Sequence, residues 1–153
     1  MGSLRAAAVA VVALVVSAAP SSHAAPPPEL GAIARAALGA ADEYLVTGRF
    51  PASAPPGPWL APERADLDVR RAALAGSHIA YTWHEERLVV LGGSVALDRA
   101  VLHVRAGITL GMAGINGNFG TPPYTSGEEE PTFLFRRVAG VWVLTELVDD
   151  PRP

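Results

Sequence analysis

The chain has no cysteine. That excludes a lipoprotein anchor, a disulfide framework, a thiol nucleophile and a zinc–thiolate centre. It has no lysine either, since all 12 basic residues are arginine. With so much Ala, Gly and Pro, this composition points to a GC-rich coding genome of actinobacterial type. Charge is sparse at 18%, with a formal net charge of −3. Nothing in that balance draws the chain to nucleic acid or to an anionic membrane. No phosphate-binding loop, serine-nucleophile elbow or zinc motif is present, and neither metal nor cofactor is expected.

What the chain does have is apolar content, 50% of its 153 residues. That length suits one domain able to bury a core without covalent staples. At the N-terminus, Arg5 precedes the apolar run Ala6–Val16, which is too short to span a bilayer. Small residues and prolines follow. This is the pattern of a secretory signal peptide over 1–24, with Ser22-His23-Ala24 placing cleavage after Ala24. The expected product is a secreted protein with no stable membrane anchor. A short leader, 25–28, then opens a single α+β domain over 29–148, and 149–153 reads as a tail or the start of a linker.

The organising stretch is Val101–Met112. Leu102, Val104, Ala106, Ile108, Leu110 and Met112 alternate with His103, Arg105, Gly107, Thr109 and Gly111. Side chains on a strand point alternately to opposite faces, so this is a strand with one dry and one wet face. At roughly 3.3 Å per residue it would run about 36–40 Å. Such a strand needs antiparallel neighbours and a cover for its dry face.

The flanking segments supply both. Leu30, Ile33, Ala37, Leu38, Ala41, Tyr44 and Leu45 recur at helical spacing, predicting a helix over Glu29–Thr47 that Gly48 stops. Residues 50–58 are a proline-rich loop, pinned at its far end by Trp59-Leu60. Pro62-Glu63 opens a second helix running to Ala75, with Gly76 as its stop. A strand from Ser77 breaks at Glu85-Glu86, and another spans Arg87–Leu97 with a bulge at Gly92-Gly93. Residues 113–131, rich in Gly, Asn, Pro and Glu, read as a loop in which Glu128–Glu130 are solvated. Thr132–Val138 and Val141–Val148 form a hairpin across Ala139-Gly140. Two helices before an antiparallel meander predict helices packed on a curled, cone-like sheet of four to five strands.

This arrangement, ending in TFLFRRVAGVWVLTEL, resembles the cone fold of the nuclear transport factor 2-like and SnoaL-like superfamily. More narrowly, Ala72–Val148 resembles the N-terminal accessory domain of secreted actinobacterial amidase-like proteins. The shared features are the Gly76…Tyr81-Thr82…Arg87–Val90 stretch, a Pro123-Tyr124-Thr125 loop and the terminal hairpin. In those proteins a downstream domain carries hydrolytic cysteine chemistry. This chain has no cysteine, so the resemblance implies only the accessory domain.

Candidate chemistry is thin. His103, Arg105 and Thr109 share the wet face of the long strand, and His103 is the group there that titrates near neutrality. The cone-fold resemblance implies an acid paired with Tyr or His, which Asp42, Glu43, Tyr44 and His103 could supply. Tyr44, Trp83, His103, Arg105 and Trp142 are the candidate ligand-binding side chains. His78 and His84 lie six residues apart on a strand, about 20 Å, too far to share one ion. They and Glu86 therefore read as solvent-facing. Three functions stay open: a non-catalytic domain binding a small apolar ligand, a cell-wall component or a protein partner, with a homodimer possible; a small isomerase- or cyclase-type enzyme with His103 as base; or an accessory fragment of an amidase-like protein.

Overall fold

The computed structural model describes residues 25–114 and 124–148. The expected signal segment 1–24 with its expected cleavage site, the expected tail 149–153 and the stretch 115–123 lie outside the described residues. The element order is α1 (Pro28–Thr47), α2 (Leu60–Gly76), β1 (Ile79–Val95), β2 (Arg99–Gly114), β3 (Tyr124–Glu129), β4 (Thr132–Val138) and β5 (Val141–Val148). Two helices pack on a curled antiparallel sheet, a half-barrel of cone-like α+β form. Neither helix is long and apolar enough to cross a membrane.

Helix α1 starts with proline in its first turn, where a missing N–H costs nothing, and with Glu29 at the positive end of its dipole. It ends at Gly48, whose left-handed φ of 80° lets its N–H donate to Tyr44 O. Arg71 of α2 donates to the same Tyr44 carbonyl at 2.8 Å, placing a cation at the negative end of α1. Helix α2 begins at Leu60, before Pro62, and Gly76 lies inside it. The left-handed residue that follows is His78, with φ 56°.

Strand β2 is the axis. Its alternation is as the sequence predicts: Leu102, Val104, Ala106 and Leu110 are buried beneath the helices, and His103 and Arg105 are exposed. Strand β1 pairs along its length from Ile79↔Gly114 to Val95↔Ala100, with register shifts between Tyr81 and Trp83 and between Val90 and Gly92. The break expected at Glu85-Glu86 is absent, because Glu85↔Thr109 and Glu86↔Ile108 continue the ladder. Two charged residues in a row resemble a turn in sequence. Here Glu86 turns inward and finds a partner there.

The other edge of β2 is shared. Strand β4 pairs with its first half, from Arg99↔Arg136 to His103↔Thr132, and β3 with its second, from Ala106↔Glu129 to Gly111↔Tyr124. Val104 N–H donates to Pro131 O between them, so β3 and β4 run end to end as one interrupted strand. The loop expected over 113–131 therefore becomes strand from Tyr124. Its inward positions, Thr125, Gly127 and Glu129, are opposite Leu110, Ile108 and Ala106. They carry no apolar alternation because no core lies above them. Strand β5 joins β4 alone, through a turn in which Ala139 and Gly140 both have positive φ, as a tight hairpin requires.

The sheet is consequently four strands wide over one half of β2 and ends at β3 over the other. The wide half holds the main core: Leu30, Ala34, Ala37 and Leu38 of α1 meet Leu88, Leu102, Val104, Phe133, Phe135 and Leu144. Small alanines let the helix lie close on the strands. A second, smaller cluster of Ala41, Tyr44, Leu45, Leu67 and Leu110 continues toward the narrow half.

Candidate functional site: an acidic-walled cavity and a histidine–carboxylate cluster

Where β4 gives way to β3, the core stops and a cavity of about 500 Å³ begins. Its apolar wall comes from Leu38, Ala41 and Leu45 of α1, Leu67 and Leu74 of α2, and Ile108 and Leu110 of β2. Its polar groups are Asp42, Glu63, Arg70, Ser77, Thr125, Ser126 and Glu129. A volume of this order, mostly apolar with a few convergent polar groups, is the usual character of a small-molecule site.

Asp42 is the group that stands out. It is only 4% exposed, and its Oδ2 is buried without a hydrogen-bond partner among the described residues. Burial, then the nearby charge of Glu86, pushes its carboxyl up to about 7; Glu129 adds to the rise, and His84 and Arg70 oppose it.

Behind Asp42, away from the cavity, lies His84. The alternation of β1 explains its position. His84↔Leu110, Glu86↔Ile108 and Leu88↔Ala106 put all three side chains on the face that α1 covers. His84 Nδ1 is 2.9 Å from Glu86 Oε2, and its Nε2 is 3.0 Å from Glu43 Oε2 on α1. A ring facing a carboxylate at each nitrogen is satisfied on both sides as imidazolium, in which both nitrogens donate. Burial works against that charge. The hydrogen bonds the ring donates to Glu86 and Glu43, with the charges of Glu86 and Asp42, outweigh it and hold the imidazole above its ordinary range. Glu86 fits because Gly39 faces it: a Cβ there would come within 2.6 Å of Glu86 Oε1. Ligand atoms of Asp42, His84 and Glu86 all lie within 4.8 Å of one another.

The solvent-facing reading of His84 and Glu86 is thus corrected. Both are half-buried under α1. His78 is exposed in the turn before β1 and takes no part. Leu88, in step with His84 and Glu86, is buried, but Val89, Val90 and Leu91 after it are all apolar and exposed, so the inward parity of β1 is masked in the sequence.

The other sequence candidates lie elsewhere. Tyr44 is buried in the second core cluster, its hydroxyl donating to Asp68 at 2.7 Å. Trp83 lies half-exposed over Gly111 on the convex face of the sheet. His103 is exposed there, with Nδ1 3.0 Å from Thr132 Oγ1. Arg105 donates to Glu130 at 3.0 Å on the same face. Trp142 belongs to the main core, with the Arg137 guanidinium 5.5 Å from its ring centre. None of the five lines the cavity. Of the Asp42, Glu43, Tyr44 and His103 group, Asp42 and Glu43 meet a histidine, but it is His84.

No family model and no curated protein matches the chain. Among solved structures, it is similar to the intermembrane space region of the chloroplast protein ARC6, at 11% identity and TM-score 0.53, over 80% of this chain and 94% of that one. That likeness is one of fold alone. A SEC-C motif protein from Rhodopseudomonas palustris aligns at 21% identity over 81% of this chain and 77% of that one, but with a TM-score of 0.34, too loose to carry an argument.

Proposed function

We propose that this protein is an exported binding domain for a small, largely apolar ligand, held in the cavity between α1, α2 and the narrow end of the sheet. The observation that carries the proposal is that cavity's composition: an apolar wall interrupted by Asp42, a buried carboxyl with an unpartnered oxygen. An apolar body would displace water from Leu45, Leu67 and Ile108. A single hydrogen-bonding or cationic group would meet Asp42. The apolar run at the N-terminus supports export, and the resemblance to cone-shaped folds supports a pocket at this end of the sheet. A protein partner or a second copy of the chain is the other occupant class, and sedimentation of the purified domain reports on a homodimer.

The test is a neutral apolar fluorophore such as N-phenyl-1-naphthylamine, titrated into the purified domain. Saturable binding is expected. Gly127 of β3 lines the cavity, and a Cβ built on it meets open space. Gly127→Phe therefore fills the cavity from a strand position and abolishes the signal. Unchanged binding in that variant removes the reading.

A second reading adds chemistry to the same cavity. Asp42, with a carboxyl near neutrality and His84 behind it, is better placed for acid–base work than exposed His103. Under this reading, turnover of an isomerase- or cyclase-type substrate is lost in Asp42→Asn and kept in His103→Ala. The reverse pattern would restore His103.

A further inference from the structure

We infer that Asp42, His84 and Glu86 form a binding site for one divalent transition-metal ion. The inference uses the same Asp42 oxygen as the cavity proposal but does not need an organic ligand in the cavity. Three observations carry it. First, one imidazole nitrogen and two carboxylate oxygens from two different elements converge within 4.8 Å. An ion taking nitrogen and oxygen ligands at about 2.0–2.2 Å holds neighbouring ligand atoms about 3 Å apart, and His84 Nδ1 and Glu86 Oε2 are already 2.9 Å apart. Second, Asp42 is buried, yet its Oδ2 has no hydrogen-bond partner among the described residues. A buried carboxylate oxygen without a donor is costly, and an ion beside His84 and Glu86 would satisfy it. Third, the ring has a support of the kind metal-bound histidines use. With Nδ1 turned to the ion, Nε2–H donates to Glu43 Oε2 at 3.0 Å, fixing tautomer and orientation.

The donor set selects the class of ion. One imidazole with carboxylates suits Zn²⁺ or Mn²⁺ better than an all-oxygen cation such as Ca²⁺. Arg70, on the cavity wall, is the arginine whose charge acts on Asp42, and the other two nearby are held elsewhere. Arg35 donates to the carbonyl of Leu88, and Arg71 to the end of α1. The site adjoins the cavity through Asp42, so a bound ion would sit one side chain behind its wall.

The experiment is calorimetric titration of EDTA-stripped protein with ZnCl₂ and with MnCl₂, paired with thermal melts. The expected result is one equivalent bound, and a Tm raised by several degrees at about 100-fold excess over Kd. Asp42→Asn and Glu86→Gln each weaken binding by at least about tenfold. His84→Gln abolishes it, while His103→Ala and His78→Ala bind as the parent does. Asp42→Asn preserves shape and removes a buried charge, so it carries the test even if His84→Gln fails to fold. Gly127→Phe, which fills the cavity, keeps metal binding, so failure of this site is distinguishable from failure of the ligand proposal. No saturable binding, or undiminished binding by Asp42→Asn, overturns the inference. In that case the cluster is a proton-held network only.

Discussion

His84 Nε2 lies 3.0 Å from a Glu43 carboxylate oxygen, although 41 residues separate the two in the chain. The contact ties the C-terminal half of α1 to the middle of β1. It does so where the core is thinning, between the main apolar cluster and the cavity. With Glu86 on the other ring nitrogen, the tie is strongest when His84 carries its proton.

That dependence sets the first prediction, for metal-free protein in chelating buffer. The folded pKa of His84 is raised above its unfolded value near 6.5. Its contribution is fully present below that value and is lost as pH rises through the folded pKa. The Asp42 carboxyl is raised to about 7, so the folded state also holds this proton more tightly than the unfolded chain does. Its share erodes from about pH 4 to pH 7. Both shifts have the same sign. Urea unfolding should show stability falling from pH 5 to pH 8, by an amount on the order of a few kcal/mol. Stability that rises over this interval would contradict both assignments.

A second prediction separates Asp42 from His84. Asp42→Asn keeps the shape and removes the ionisation. At pH 8 the parent must hold a buried carboxylate beside Glu86 and Glu129, and the amide need not. The variant should therefore be more stable than the parent at pH 8, by about 1–3 kcal/mol. At pH 5, where the parent carboxyl is protonated, the two should differ little. Unfolding curves at the two pH values check both halves. Equal stability at pH 8 would mean that Asp42 is solvated in the folded state.

The helices, the long strand, the terminal hairpin and the cone-like sheet were legible because each depends on apolar periodicity. Leu102, Val104 and Ala106 announce a dry strand face whatever lies above it. The cluster was not legible because its partners sit at inward positions that carry charge. Glu85-Glu86 interrupts the hydrophobic run of β1 and so resembles a turn. In fact Glu85 faces out and Glu86 faces in, and the strand continues. Strand β3 escaped notice for a related reason. Its inward side chains border a cavity, so no core selects them to be apolar. The cavity's position follows from pairing: β4 and β3 divide one edge of β2, and only β4 has a further neighbour. No local pattern encodes that.

The proline-rich loop gives a third prediction. Trp59 is fully buried, its indole N–H donates to Pro55 O at 2.9 Å, and its ring meets Phe50 edge-on at 5.6 Å. The loop is thus folded back on its own end and fixed to the core. Trp59→Ala should cost about 3–5 kcal/mol. Trp59→Phe retains much of the volume but strands the Pro55 carbonyl, and should cost about 1–3 kcal/mol. Limited proteolysis within 51–58 should accelerate in the same order. Cleavage there at the parent rate in Trp59→Ala would show that the loop does not depend on this anchor.

Two glycines give a fourth prediction with opposite outcomes. Gly57 lies against β5, where an added Cβ would strike the backbone oxygen of Leu144 and come within 3.1 Å of Trp59 Cδ1. A backbone atom in a paired strand cannot move aside cheaply, so Gly57→Ala should destabilise by about 1–3 kcal/mol. Gly107 sits in the middle of β2 on the opposite face from the core, and a Cβ there meets nothing within 4 Å. Its strand backbone suits any L-residue, and alanine would only reduce the freedom of the unfolded chain. Gly107→Ala should be neutral or stabilising by up to about 1 kcal/mol. The pair tests the sheet's facing directly, since a β2 rotated by one residue would bring position 107 under α1. Thermal melts of both variants decide it, and a large loss in Gly107→Ala would invert the assignment of dry and wet faces.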